Sequence, residues 1–173
     1  VQRMKGLEVA LHAAALLEAR QVPFRMTVGG SGDYLETMAA EVAARGLEDV
    51  VELRGRVAEE DIPDFFAGAD LFLFPDLTQP AFGLVAVEAM LYGLPVVAAR
   101  SGAIPEVVGE EVGWLYEPWS LSELAALLER RAACRDERER KADAARRHAR
   151  QFTADRMAAG VEAVYRGLRN TSA

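Results

Sequence analysis

The chain has 173 residues, of which 51% are hydrophobic and 27% charged, and its formal net charge is −7. That length suffices for one domain with a buried core, and the acidic balance gives no electrostatic reason to bind nucleic acid. One cysteine, Cys134, excludes an internal disulfide and fits a reducing cytoplasm, and no apolar run approaches the roughly 18 residues of a membrane span.

Strand-like and helix-like segments alternate along the chain. Leu7 to Ala19 reads as a helix, with Leu7, Leu11, Ala14 and Ala15 on one face. Phe24 to Val28 reads as a strand that stops at Gly29-Gly30-Ser31-Gly32. A helix follows from Tyr34 to Arg45, closed by Gly46 as a C-cap residue. Val50 to Arg54 is the next strand, ending at Gly55, and a short helix from Ile62 to Ala67 leads to a strand over Leu71 to Phe74. The helix from Gly83 to Tyr92 stops at Gly93, followed by a buried strand over Pro95 to Ala99 and a last strand over Gly113 to Tyr116. Three helices finish the chain, at Leu121 to Ala133, Glu137 to Phe152 and Asp155 to Arg169.

Short apolar strands, each followed by a helix, predict an α/β fold with a Rossmann-like parallel sheet and helices on both faces. The expected organisation is a single domain over 1–173, with a core over 1–133 and a C-terminal helical appendage over 134–173. The charges between Arg135 and Arg150 read as a solvated face of that appendage. Ligands of such sheets sit at the carboxyl ends of the strands. Those ends carry the Gly29–Gly32 turn, Gly55-Arg56-Val57, the loop from Pro75 to Phe82, and Arg100-Ser101-Gly102.

The segment from Phe72 to Met90 is the most informative. An apolar strand ends at Pro75, crosses a polar loop, and enters a helix through Phe82-Gly83-Leu84 with Glu88 in its second turn. A helix start offers unpaired N–H groups and a positive dipole end to a phosphate, and a glutamate can accept hydrogen bonds from hydroxyl groups beside it. The implied ligand is part phosphate and part polyol. The glycine turn allows close backbone approach, but the third glycine of a dinucleotide fingerprint is replaced by Leu35, which removes the main support for NAD. A plain tight turn before the Tyr34 helix remains the alternative reading.

Taken in order, Lys5-Gly6, Val28 to Gly32, Val51 to Val57, Ala69 to Pro75, Phe82 to Met90, Gly93 to Ala98 and Pro105 to Val108 form a specific series. It resembles the C-terminal, nucleotide-binding domain of the retaining nucleotide-sugar glycosyltransferases of the GT-B fold, the family-four "group 1" enzymes. The resemblance covers residues 3 to about 169. It implies that Val1 to Met4 is the loop after an upstream strand, with Arg3 a loop residue, and that this first strand and an N-terminal acceptor-binding domain are absent from the chain. The implied function is the donor-binding half of an enzyme that transfers a sugar from a nucleoside-diphosphate sugar to an acceptor. It is cytoplasmic, needs no cofactor or metal, and is inactive as an isolated fragment.

The resemblance assigns roles to particular residues. Lys5, which alone reads as a surface lysine near a helix start, becomes a point charge on the departing diphosphate. Gly30 and Gly32 become part of the donor site, Arg56 and Val57 lie where the family seats the nucleobase, and Phe82, Gly83 and Leu84 lead into the phosphate-binding helix start. Glu88 corresponds to the glutamate that accepts from the ribose hydroxyls. The family pairs it with a second glutamate eight residues upstream, and that position here is Pro80, with neither carboxylate nor N–H. Gln79 is the neighbour best able to substitute as a neutral partner in catalysis, ahead of Asp76 and Thr78. Glu106 reads as structural in the first turn of a short helix. Trp114, Tyr116 and Trp119 read as packing, with sugar stacking left open, and His12, His148 and Cys134 receive no role. Two rivals stand beside the transferase: a sugar-nucleotide epimerase, which would want acid–base groups near Gly102, and a non-catalytic nucleotide-sugar-binding domain, which Pro80 motivates.

Overall fold

The computed structural model of the chain describes residues 5–171, so Val1 to Met4, and with them Arg3, lie outside the described residues. In chain order the elements are α1 (Leu7–Ala19), β1 (Met26–Gly29), α2 (Leu35–Ala44), β2 (Val51–Gly55), α3 (Ile62–Ala67), β3 (Phe72–Phe74), α4 (Leu84–Leu91), β4 (Val96–Ala99), α5 (Ile104–Val107), β5 (Gly113–Tyr116), α6 (Leu121–Ala133), α7 (Arg135–Ala149) and α8 (Ala154–Thr171). Every strand pairing is parallel, as expected for strands joined by helical crossovers.

Among the described residues the strands form two groups, β1–β2 and β3–β4–β5, and not one continuous ladder. β4 is the centre of the larger group, aligned at Val96 with Phe72 of β3 and Gly113 of β5. All four of its residues are buried, because consecutive side chains point to opposite faces and both faces are covered. Val96 and Ala98 face a core with Ala86, Val87 and Met90 of α4 and Ala145 and Ala149 of α7. Val97 and Ala99 face Val9 and Ala13 of α1 and Leu124, Ala125 and Leu127 of α6. In the smaller group Met26, Val28, Val51 and Leu53 pack under α1 and α2, while Thr27, Glu52 and Arg54 leave the opposite face exposed.

Two helices bridge the groups. The α1 residues Leu11 and Ala14 belong to the β1–β2 core, and Val9 and Ala13 to the β3–β4–β5 core. On the other side α3 sets Phe65 against Gly29 of β1, and its Phe66 packs with Phe72 of β3 and with Ala89 and Leu94. Among the C-terminal helices, α7 buries Ala145 and Ala149 against α4 and leaves most of its charges exposed, with Glu137, Arg138 and Lys141 half-buried. Helix α8 stands exposed, with Met157, Val161, Val164, Tyr165 and Leu168 along one apolar stripe.

Candidate functional site

The loops at the carboxyl ends of the strands are tied to one another in sequence-distant pairs. At the end of β1, the Gly30 N–H donates to the Gly55 carbonyl at the end of β2 (2.6 Å). The same β1 loop closes on Gly32, whose carbonyl accepts from Leu35 at the start of α2. Next to it, the Tyr34 hydroxyl donates to Glu8 in the first turn of α1 (2.5 Å). Just before α1, the Lys5 ammonium donates to Asp76, beyond the end of β3 (2.5 Å). Farther along that β3 loop, the Pro80 carbonyl accepts from Ala103, beyond the end of β4 (2.9 Å). Four strand ends and the start of α1 are thereby joined into one rim.

Two glycines make that rim possible. Gly6 has φ +73°, and a Cβ built there would lie 1.8 Å from the Pro75 carbonyl oxygen. The turn into α1 is therefore pressed against the β3 loop, a fit only a glycine allows. Gly102 has φ +54°, and its Cβ would lie 2.4 Å from the Pro80 oxygen. That contact packs the β4 loop under Gln79 and Pro80. Gln79 is itself held at φ +53°, a left-handed conformation that costs a non-glycine residue energy and recurs at functional sites.

Asp76 is the centre of the rim. The residue is 2% exposed and, among the described residues, is the one charged residue in the interior. Its Oδ1 accepts from the Thr78 N–H (2.8 Å) and the Thr78 hydroxyl (2.6 Å), and its Oδ2 accepts from Lys5. Burial pushes its carboxyl up, but the hydrogen bonds from Lys5 and Thr78 overcome that and hold it below the ordinary carboxylate value. The Lys5 side chain remains about half exposed (48%). Sequence reasoning singled out Lys5 through the family resemblance and ranked Asp76 behind Gln79. The available signal was the Asp-x-Thr spacing, which closes a turn on its own carboxylate.

The other expected residues distribute around the rim. Gly83, at φ +90°, is the N-cap of α4. Its N–H and those of Leu84 and Val85 carry no backbone bond among the described residues, as the first N–H groups of a helix must. Phe82 sits edge-on to Phe152 (5.4 Å between centroids). Leu84 and Glu88 lie on the exposed side of α4, opposite the buried Ala86, Val87, Ala89 and Met90. Glu88 makes no side-chain hydrogen bond or ion pair among the described residues. Glu88 is thus a solvent-facing helix glutamate, and its carboxylate is free to accept from outside. Arg56 and Val57 line an open cavity of about 370 Å³ with Arg54, Asp61, Asp64 and Phe65, within the size range of small-molecule sites, about 300–1,000 Å³.

His148 bonds the Val107 carbonyl and Gln151, and Cys134 is exposed between α6 and α7. Trp114 lies between the Arg131 and Lys141 cations (4.9 and 4.8 Å from its ring) and bonds Glu137, which makes it a packing residue. Trp119 departs from the packing expectation: it is 65% exposed, with φ +66°, because it falls in the loop after β5 and not in the strand. Among the described residues no group of three or more His, Cys, Asp and Glu is placed to hold a metal ion, and no helix is long and apolar enough to cross a membrane.

Residues 1–148 match the family described as Glycosyl transferases group 1. The chain is 34% identical over 170 residues to MMP alpha-(1->4)-mannosyltransferase of Mycolicibacterium hassiacum, an alignment covering 94% of this chain and 40% of that protein. Among solved structures it is similar to sucrose-phosphate synthase from Thermosynechococcus elongatus, with TM-score 0.82 and 26% identity over 98% of this chain and 44% of that one. It is also similar to Anabaena HepE in complex with UDP-glucose, with TM-score 0.77 and 31% identity over 87% of this chain and 42% of that one. The chain thus spans about two-fifths of the length of these proteins.

Proposed function

The chain belongs to the glycosyl transferases group 1 family, and on that premise we propose that it is the donor-binding half of a sugar-transferring enzyme. In this reading a nucleoside-diphosphate sugar binds along the rim and its sugar passes, with retention of anomeric configuration, to an acceptor held by a second domain. The observation that carries it is the tied rim itself, which sets the Lys5 cation on the β3 loop that leads into the open amides of α4, at the strand ends where α/β folds bind ligands. The complex of HepE with UDP-glucose supports a nucleotide sugar as the ligand.

The roles follow from the chemistry of each group. The cavity beside Val57 and Phe65 takes the base, with Arg56 at its mouth. Glu88 accepts from the ribose hydroxyls. Lys5 and the amides at the start of α4 meet the diphosphate, whose negative charge grows as the sugar departs. Donors fixed in advance for that developing charge lower the barrier without a protein nucleophile. Gln79, offered by the β3 loop, bonds the sugar hydroxyls in place of the carboxylate that Pro80 lacks. The exposed stripe of α8 supports a larger assembly, because apolar faces of this kind are usually covered.

Titration calorimetry with UDP, GDP and ADP tests the reading. One nucleotide is expected to bind, and Glu88→Ala to weaken it by about tenfold, the worth of one hydrogen bond to a charged group. Failure of all three to bind a chain that unfolds cooperatively would overturn the assignment. Pro80 favours a second reading, a binding domain without transfer activity. Comparing native and Pro80→Glu sequences for sugar transfer, with an acceptor-binding half present, separates the two.

A further inference from the structure

Asp76 invites a question that the donor reading does not answer. The Asp76–Thr78 turn could be closed by a neutral serine or asparagine, yet this chain buries a full charge there. An interior carboxylate is costly unless paired and hydrogen-bonded, and the added partner is Lys5, 71 positions away in sequence. Lys5 has no comparable need, since its side chain is half exposed and water could serve it.

We propose that Asp76 is a positioning residue that fixes the Lys5 ammonium at the diphosphate subsite of the donor site. The proposal rests on the reading above. A lysine carries three N–H donors; Asp76 uses one and leaves two for an external acceptor. The Gly6 turn against Pro75 anchors the backbone of the same residue. Held at both ends, Lys5 forgoes the rotamer freedom that a long side chain otherwise loses when its ligand arrives. Asp76 need not touch the donor; it acts through Lys5.

Two measurements test this on the chain itself. The sequence holds two lysines, Lys5 and Lys141, so lysine-selective carbon and nitrogen labelling gives two resolvable side chains by NMR. Lys5 is expected to show inequivalent ε protons and slowly exchanging ammonium hydrogens, both lost in Asp76→Asn. A freely rotating Lys5 in the native chain overturns the proposal without recourse to any variant. The second measurement is a double-mutant cycle on UDP binding, or on the nucleotide the calorimetry selects. Lys5→Gln should weaken binding by about tenfold in the native background and by no more than about threefold in Asp76→Asn. Direct repulsion between Asp76 and the nucleotide enters both comparisons and cancels. An equal or larger loss in the Asp76→Asn background would show that Asp76 merely neutralises Lys5, and the proposal would fall. Asp76→Ser, which keeps a hydroxyl in the turn, serves if Asp76→Asn does not fold. If no nucleotide binds the native chain, the donor reading fails and the NMR result still decides whether Asp76 holds Lys5.

Discussion

Replacing Gly6 by alanine tests the geometry on which the rim depends, and a second glycine supplies the control. Gly6 and Gly46 both have positive φ, +73° and +63°, so alanine at either incurs the left-handed penalty of about 1–2 kcal/mol. Nothing lies within 4 Å of a Cβ at Gly46, so its cost ends there. At Gly6 the new methyl would sit 1.8 Å from a backbone oxygen and 2.6 Å from its carbonyl carbon. Rotating a side chain cannot relieve that overlap; the turn or the β3 loop must move. The expected cost is about 3–5 kcal/mol, the range of the larger single-residue effects. At about 2–4 °C per kcal/mol for a chain of this size, Gly46→Ala should melt about 2–8 °C lower and Gly6→Ala about 6–20 °C lower. Urea unfolding followed by far-UV circular dichroism gives both free energies. Costs agreeing within about 0.5 kcal/mol would mean that the turn does not press on Pro75, and the anchoring of Lys5 would lose its backbone half.

Other consequences can be checked on the same preparations. Asp76→Asn should cost stability at neutral pH, and that cost should shrink in acid. The folded-state value of Asp76 is held below its ordinary 3.8, so its stabilisation is complete above that value and fades as pH falls through the lowered one. Urea titrations at about pH 7 and about pH 3 measure the change, and a cost that grows on acidification contradicts the assignment. Tyr116 is fully buried, its hydroxyl has no hydrogen-bond partner among the described residues, and burial pushes its phenol up. Tyr116→Phe should therefore be neutral or stabilise by up to about 1 kcal/mol, because an unmet polar group is removed from the core. A loss of more than about 1 kcal/mol would reveal a partner for that hydroxyl.

What the sequence revealed depended on whether the cause was local. β4 was legible because Pro95 to Ala99 is an unbroken apolar run, the mark of a strand covered on both faces. α4 was legible from its apolar register and its bounding glycines. The break between the two strand groups was not, because pairing joins distant segments and leaves no local trace. Pairing also begins at Met26, opposite Val51, so Phe24 and Arg25 fall outside the strand. The charges of α7 read as a solvated face, yet Glu137, Arg138 and Lys141 are half-buried, and its packing runs through Ala145 and Ala149, small residues that a charge count passes over. Lys5 was singled out by the family resemblance, since its place before a helix reads alone as a surface lysine. Asp76 was weighed only as a stand-in for the carboxylate eight residues before Glu88, and only the fold brings it to Lys5.

The separation of β1–β2 from β3–β4–β5 has a mechanical consequence. A strand ladder resists displacement through directional backbone bonds, whereas helices packed on side chains slide past one another at small cost. Where the two groups meet, α1 and α3 hold them by packing. That seam is crossed at the rim by side-chain bonds, from Tyr34 to Glu8 and from Lys5 to Asp76, and by no strand pairing among the described residues. A ligand reaching from Val57 to Lys5 would lie across it and brace the two plates as a strut braces a frame.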